Sequence, residues 1–218
     1  MVKPRVIETD EGIQEEFTVE VYDRMLRGLR DKGWMETNQI IKSGINNGLA
    51  LEVGPGPGYL GLEWLKNTDK TKLMGIEISP AMIKMATKNS KEYGFEKRVK
   101  YVKGDAQKMP FENNYFDGVF SNGSLHEWSQ PKKIFNEIYR VLKPGGMYFI
   151  SELKRDMNFL LKWFMYYNTN PKEIRSGLIS SINAAYTVEE IFNILKSTKL
   201  KDAKVTKNFM GIEISGDK

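Results

Sequence analysis

Residues 49–61 read Leu-Ala-Leu-Glu-Val-Gly-Pro-Gly-Pro-Gly-Tyr-Leu-Gly. An apolar run ends at Glu52 and Val53, and Gly54, Gly56 and Gly58 then alternate with prolines. Alternating glycines let the backbone approach a ligand closely and take dihedrals that other residues avoid. A helix starting just after them aims free N–H groups at the same place. The stretch therefore reads as a small-molecule cleft at the end of a parallel strand.

Working outward, apolar runs alternate with helical patterns, which argues for a parallel sheet covered by helices on both faces. An N-terminal helical region spans 13–43, with Gly33 as its break. Strands are expected at 49–53, 72–76, 99–103, 116–121 and 147–153. Helices follow at 59–67, after Ser79-Pro80 (an N-cap with proline in the first turn) and after Pro131. Gly94 closes the second of these, and Lys143-Pro144-Gly145-Gly146 stops the third. Thr187-Val188-Glu189-Glu190 is a capping box. Two last strands, 203–208 and 211–215, lie so close that they form a hairpin, which makes one end strand antiparallel.

Bulk properties exclude several classes. The 218 residues suffice for one domain with a sizeable core. The net charge of +5 is scattered along the chain, which reads as solubility and makes nucleic acid an unlikely partner. There are no cysteines, so disulfides and thiolate chemistry are excluded, in keeping with a cytoplasmic setting. A single histidine argues against a metal site. Residues 1–12 show no secretory pattern, and the longest apolar stretch, 157–167, is too short for a transmembrane segment.

Glu77 ends the second strand, nineteen residues after Gly58. An acid there can accept both hydroxyls of a ribose. The glycine spacing is G-x-G-x-G, and Tyr59 stands where a nicotinamide-binding G-x-G-x-x-G needs its last glycine. With Leu-Glu-Val-Gly-Pro-Gly-Pro-Gly (51–58), the chain carries Gly-Ile-Glu-Ile-Ser-Pro-Ala-Met (75–82) and Gly-Asp-Ala-Gln-Lys-Met-Pro-Phe (104–111). Tyr-Phe-Asp-Gly-Val-Phe-Ser-Asn-Gly-Ser-Leu-His (115–126) and Val-Leu-Lys-Pro-Gly-Gly (141–146) follow in order. In these motifs the sequence resembles the class I S-adenosylmethionine-dependent methyltransferases, near the small-molecule branch that includes the ubiquinone/menaquinone-type enzymes. The resemblance covers residues 45–153 well and the rest in outline.

The resemblance implies a Rossmann-like, doubly wound sheet of seven mostly parallel strands in the order 3-2-1-4-5-7-6, with a reversed C-terminal strand. It implies S-adenosyl-L-methionine as cofactor and methyl transfer by in-line displacement to a small-molecule acceptor. Gly54, Gly56 and Gly58 would pass the methionine part, Glu77 would hold the ribose and Ile78 would lie against the adenine. Asp105 would accept from the adenine amino group, and the Ala106 N–H would reach a ring nitrogen. Asn122 and Gly123 would close the pocket beneath the methionine group. Glu52 would support either the glycine turn or the cofactor's amino group. Asp105 also reads as a plain turn residue.

Acceptor-side readings come from the remaining chain. His126 lines the pocket or serves as general base, with Glu127 and Trp128 beside it as further residues facing the cleft. Tyr22 either packs its helix or closes its phenol over the methyl donor. In residues 155–185, where the family builds its acceptor site, Met157, Leu160, Leu161, Phe164 and Met165 form one helical stripe. Phe159, Trp163, Tyr166 and Tyr167 form another, so this helix is expected to be buried on more than one side. Trp163, Tyr166 and Tyr167 are thus substrate candidates, and the alternatives are core packing, a lid, or an interfacial or homodimer contact. A single domain is expected: helical cover 1–44, cofactor core 45–153, acceptor insertion 154–186, and C-terminal helix and hairpin 187–218. The competing readings are a cofactor-binding partner without turnover, a macromolecular methyltransferase and a nicotinamide oxidoreductase.

Overall fold

The computed structural model describes residues 3–8 and 12–218. Of the N-terminal stretch read as lacking a secretory pattern, residues 1–2 and 9–11 lie outside the described ones.

Strand β1 (Leu49–Val53) sits mid-sheet, parallel to β2 (Lys72–Glu77) on one side and β4 (Phe116–Asn122) on the other. Beyond β2 lies β3 (Val99–Lys103), and beyond β4 lies β5 (Leu142–Leu153), both parallel to their neighbours. Strand β7 (Gly211–Asp217) runs antiparallel between β5 and the edge strand β6 (Lys204–Lys207). The order is β3-β2-β1-β4-β5-β7-β6, as expected. The chain leaves β1 in one direction and returns in the other at β4. In open α/β sheets a crevice forms at the carboxyl ends of such a strand pair.

Among the described residues eight α-helices surround the sheet: α1 (Glu16–Asp31), α2 (Thr37–Lys42), α3 (Tyr59–Lys66), α4 (Pro80–Glu92), α5 (Pro131–Val141), α6 (Phe159–Asn168), α7 (Arg175–Ala184) and α8 (Val188–Leu195). On one face Leu51, Val53, Ile76 and Val119 meet Ile134, Phe135 and Ile138 of α5 and Ile191 and Leu195 of α8. On the other, Ala50, Leu73 and Phe120 meet Leu62, Trp64 and Leu65 of α3 and Ile40 of α2. Alternate residues of each strand therefore feed separate cores, as a two-sided sheet requires. The local signals operate as read. Ser79 Oγ accepts from Met82 N at 3.2 Å, Gly94 takes a positive φ of 71° after α4, and Thr187 and Glu190 cap α8 reciprocally.

Three expectations need correction. Strand β5 begins at Leu142 rather than 147, because Leu142 pairs with Phe116 before a register shift carries the chain past Gly145-Gly146. The final hairpin turns on Asn208, Phe209 and Met210, with Asn208 Oδ1 accepting from Met210 N and Gly211 N. The third correction is α6, which is not buried on two sides. Its partner is α7, and Met157, Leu161 and Ile182 form the small core between them, joined by Met165 and Leu178. One narrow helix covers only one i, i+4 line, so Leu160 and Phe164 turn to solvent with Phe159, Trp163 and Tyr167.

Helix α3 approaches the sheet closely through Gly61. A Cβ there would overlap Glu52 Oε2 and Leu73 Cδ2. Gly61→Ala should therefore lower stability by about 1–3 kcal/mol despite alanine's better helix propensity. Thermal unfolding checks this, and an unchanged or raised midpoint would contradict the close approach.

Candidate active site

The crevice starts where β1 ends. Gly54, Gly56 and Gly58 have φ of 68°, 53° and 85°, all in the region that favours glycine. Gly54 N donates to Ile76 O at 3.0 Å, so the turn begins still tied to β2. Glu77, at the end of β2, reaches across. Its Oε2 accepts from Gly56 N at 3.1 Å and its Oε1 from Ser79 N at 2.9 Å. Burial pushes the Glu77 pKa up, and the N–H groups of Ser79, Gly56 and Ile78 oppose that rise.

Helix α1 forms the lid of the turn. Tyr22 lies over Gly56, where a Cβ would stand 3.5 Å from its ring. The cradle is shaped for bare backbone at its two ends, where a Cβ on Gly54 would come 2.8 Å from Ser124 Cβ and one on Gly58 would overlap Tyr101 Oη. Burial, followed by the fields of Glu127, Glu152 and Glu77, pushes the Tyr22 phenol well above its usual range, so it keeps its proton. Asp23, next along the helix, fixes this position. Its Oδ1 accepts from Tyr59 Oη at 3.0 Å and from Asn89 Nδ2 at 2.8 Å, while Asn89 also donates to Pro57 O. One buried carboxylate thus joins α1, α3, α4 and the glycine turn. The sequence reading missed Asp23, whose only signal is an acid on the apolar side of an amphipathic helix.

The remaining cofactor candidates border the same crevice or its support. Ile78 is half-buried, with Gly12 packed against it, and Ser79 Oγ donates to Ile13 O. Asp105 is exposed, and its Oδ1 accepts from Gln107 N at 2.8 Å across a 3-10 turn that begins at Ala106. Its turn role and its availability to a ligand are therefore compatible. Asn122 ends β4 and donates to Ser151 Oγ and Glu36 Oε2; Gly123 follows with φ 63°. Glu52 differs from the others. It lies under α3 against Gly61, its Oε2 has no hydrogen-bond partner among the described residues, and burial pushes its pKa up to about 8. That places it beneath the helix that follows the glycine turn.

Opposite Glu77 stands His126. Its Nδ1 lies 2.9 Å from Glu152 Oε2, which also accepts from the His126 N–H at 3.0 Å. Its Nε2 faces Glu8 at 3.3 Å and Glu127 at 4.0 Å. Burial disfavours the charged ring, but Glu152, Glu127 and Glu8 outweigh it and raise the pKa to about 9. The shift favours the imidazolium, the form in which both ring nitrogens donate. Burial raises Glu127 to about 7, so this carboxyl is the group poised near neutrality. Trp128 does not face the cleft. It packs edge-on against Phe135 in the core and donates to Ser124 Oγ.

Glu152, Glu8 and Arg5 were missed by sequence reading. Glu152 had a signal, as an acid inside the apolar run Phe149–Leu153. Glu8 and Arg5 had none, because the segment 3–8 has no pattern of its own. Arg5 donates to His126 O and Ala184 O and stacks over Tyr186, 4.2 Å from the ring centre. Trp163, Tyr166 and Tyr167 are not brought to this cleft. Trp163 and Tyr167 are over half exposed; the Tyr167 ring contacts those of Trp163 and Tyr166, and Arg175 lies over the two tyrosines.

Fold and cleft together define a Rossmann-like domain of the class I methyltransferase type. Residues 51–150 match the family model described as a methyltransferase domain. An uncharacterized methyltransferase of Bacillus subtilis is 36% identical over 106 residues, covering 49% of this chain and 56% of the relative. A sterol 24-C-methyltransferase of Aspergillus fumigatus is 33% identical over 141 residues, covering 62% of this chain and 34% of the relative. The chain thus spans between a third and somewhat over half of these curated relatives. A solved structure from Methanococcus maripaludis, described as a candidate S-adenosyl-L-methionine-dependent methyltransferase, superposes with a TM-score of 0.71. It is 25% identical, and the match covers 100% of this chain and 97% of that one. Along residues 51–150, just under half of its length, the chain is thus similar to S-adenosylmethionine-dependent methyltransferases, and its whole fold is similar to one.

The raised His126 pKa carries a stability consequence. Stability from the imidazolium is fully present below its ordinary 6.5 and is lost as pH rises through about 9. The full shift corresponds to roughly 3 kcal/mol. His126→Gln should therefore be less stable than the natural chain at pH 6, with the gap in melting temperature narrowing toward pH 9.5. A pH-independent gap would contradict the charged state.

Proposed function

We propose that this chain transfers a methyl group from S-adenosyl-L-methionine to a small-molecule acceptor, by in-line displacement within the crevice between Glu77 and His126. The observation that carries the reading is the glycine turn itself, held open by Glu77 and roofed by Tyr22. The residues fit the donor. Gly54, Gly56 and Gly58 offer close backbone approach, Glu77 offers carboxylate oxygens for ribose hydroxyls, and Ile78, Asp105 and Ala106 border the adenine side. Asn122 and Gly123 close the floor, and Glu52 stiffens the turn from behind. When bound, the donor supplies an electrophilic methyl group on a cationic sulfur. The chain supplies alignment and water exclusion, as such a donor requires.

The acceptor side is anionic. Glu127, Glu152 and Glu77 act on Tyr22, and Glu152, Glu127 and Glu8 on His126, against the cations of His126 and of Arg5 at its carbonyl. That sign attracts a sulfonium and repels a polyanion, which supports a small molecule over nucleic acid. It also favours a neutral or cationic acceptor over an anionic one. Glu127, near neutrality, is placed to take a proton from an acceptor that must lose one. Among the described residues no helix is long and apolar enough to cross a membrane. The methyl donor is a metabolite of the cell interior, which supports a cytoplasmic location. A homodimer would bury the apolar face of α6.

The test is release of S-adenosylhomocysteine. The protein with donor and fractionated metabolite extracts should form it in an extract-dependent way, read by mass spectrometry. Glu77→Gln should weaken donor binding by on the order of 10- to 100-fold in calorimetry, since ribose hydroxyls lose a charged acceptor. Donor binding with no product from any fraction would favour a binding module. Equal donor affinity in the variant would remove Glu77 from the ribose site.

A further inference from the structure

Helix α6 exposes an unusual face. Phe159, Leu160, Trp163, Phe164 and Tyr167 are 73%, 62%, 58%, 55% and 54% exposed. Their spacing of three and four residues puts all five on one side of a ten-residue helix whose other side is committed to α7. Together they present an apolar area on the order of 500 Å², at the upper end of what a monomeric soluble protein shows.

The patch continues past the helix. Lys154, just before α6, binds the hairpin tip twice: its N–H donates to Met210 O, and its Nζ to Asn208 O at 2.9 Å. That tip carries Phe209, 77% exposed, and Met210, 49% exposed. Cations border both ends. At the hairpin end stand Lys154 and the exposed Lys204 and Lys207. At the far end Arg175 donates to Tyr167 O and Thr169 O and lies over the rings of Tyr166 and Tyr167, with exposed Lys172 beside it. Among the described residues, the counterweight is the exposed Asp156 and Glu173 and, at the hairpin, the half-buried Glu213, which accepts from Asn208 Nδ2.

Apolar and aromatic side chains in the middle, with lysines and arginine at the margins, suit a boundary between hydrocarbon and charged headgroups. Tyrosine and tryptophan sit at that depth, and long cationic side chains reach outward to phosphate. A second copy of the chain would bring the same cations against themselves, whereas an anionic lipid surface neutralises them. We propose that α6 and the 208–210 hairpin tip form a peripheral docking surface for an anionic lipid bilayer. Helix α7 lies between α6 and the segment carrying His126, so docking sets the cleft one helix layer from the bilayer. The surface does not depend on which acceptor the cleft takes.

The test uses the full chain and defined vesicles. Co-sedimentation with mixed phosphatidylcholine–phosphatidylglycerol vesicles should pull the protein down, and phosphatidylcholine alone should do so far less. Phe159→Ser combined with Trp163→Ser should abolish binding. The two side chains are solvent-exposed, and an unchanged melting temperature establishes that the variant is folded. Lys154→Glu with Lys207→Glu should weaken binding roughly tenfold or more. In a Trp34→Phe background, Trp163 is the one strongly exposed tryptophan, so its emission should shift to the blue on adding anionic vesicles. Equal binding to neutral vesicles, or binding unaffected by the α6 variant, would overturn the proposal. So would a dimer in light scattering that the α6 variant dissociates, with no vesicle binding, because the face would then belong to a second copy.

Discussion

The hydrogen bond from Gly56 N to Glu77 Oε2 is the constraint on which the functional end of this molecule depends. It joins the turn after β1 to the end of β2 and sets the glycine backbone in a conformation that side-chain-bearing residues would resist. Around it the chain closes by a small number of buried polar anchors. Asp23 fixes α1 over the turn through Tyr59 and Asn89. Buried polar groups cost free energy unless satisfied, so a cleft wall made of reciprocal hydrogen bonds has few alternative arrangements. The sheet supplies position, and these anchors supply shape.

The same region concentrates charge. A histidine flanked by three carboxylates keeps its proton, a carboxyl beside it loses its own only near neutrality, and a tyrosine in their field keeps its hydroxyl. Each shift follows from burial and from neighbours brought there by different elements: Glu8 from the N-terminal segment, Glu127 from the turn after β4, Glu152 from β5 and Glu77 from β2. No one of these segments carries the behaviour alone.

This explains what was legible in the amino-acid sequence. Strands β1 to β4, the caps of α4 and α8 and the reversed terminal strand are local or periodic properties, and each is written in a short stretch. The glycine turn and Glu77 were legible because spacing within one β-α-β unit fixes their relation. The charge state of His126 was not, because it depends on Glu8 and Glu152, which lie more than twenty residues away on either side. Helix α6 was misread for a related reason. Its composition demanded burial on two sides, but periodicity states what a helix could bury, not how many neighbours the fold provides. Trp163 and Tyr167 are accordingly on its outer surface.

The N-terminal segment has one more consequence. Arg5 holds the carbonyl of His126, Glu8 faces its ring, and Ile13 O is bound by Ser79 on the far side of the cleft. The described residues before α1 are thus fastened on two sides of the site, 3–8 to α7 and the turn after β4, and 12–13 to the start of α4. The sheet sets where the strands end, but part of what surrounds those ends comes from a stretch with no regular structure, held by a handful of hydrogen bonds, so a change in that stretch would alter the surroundings of His126 while leaving both cores of the sheet intact.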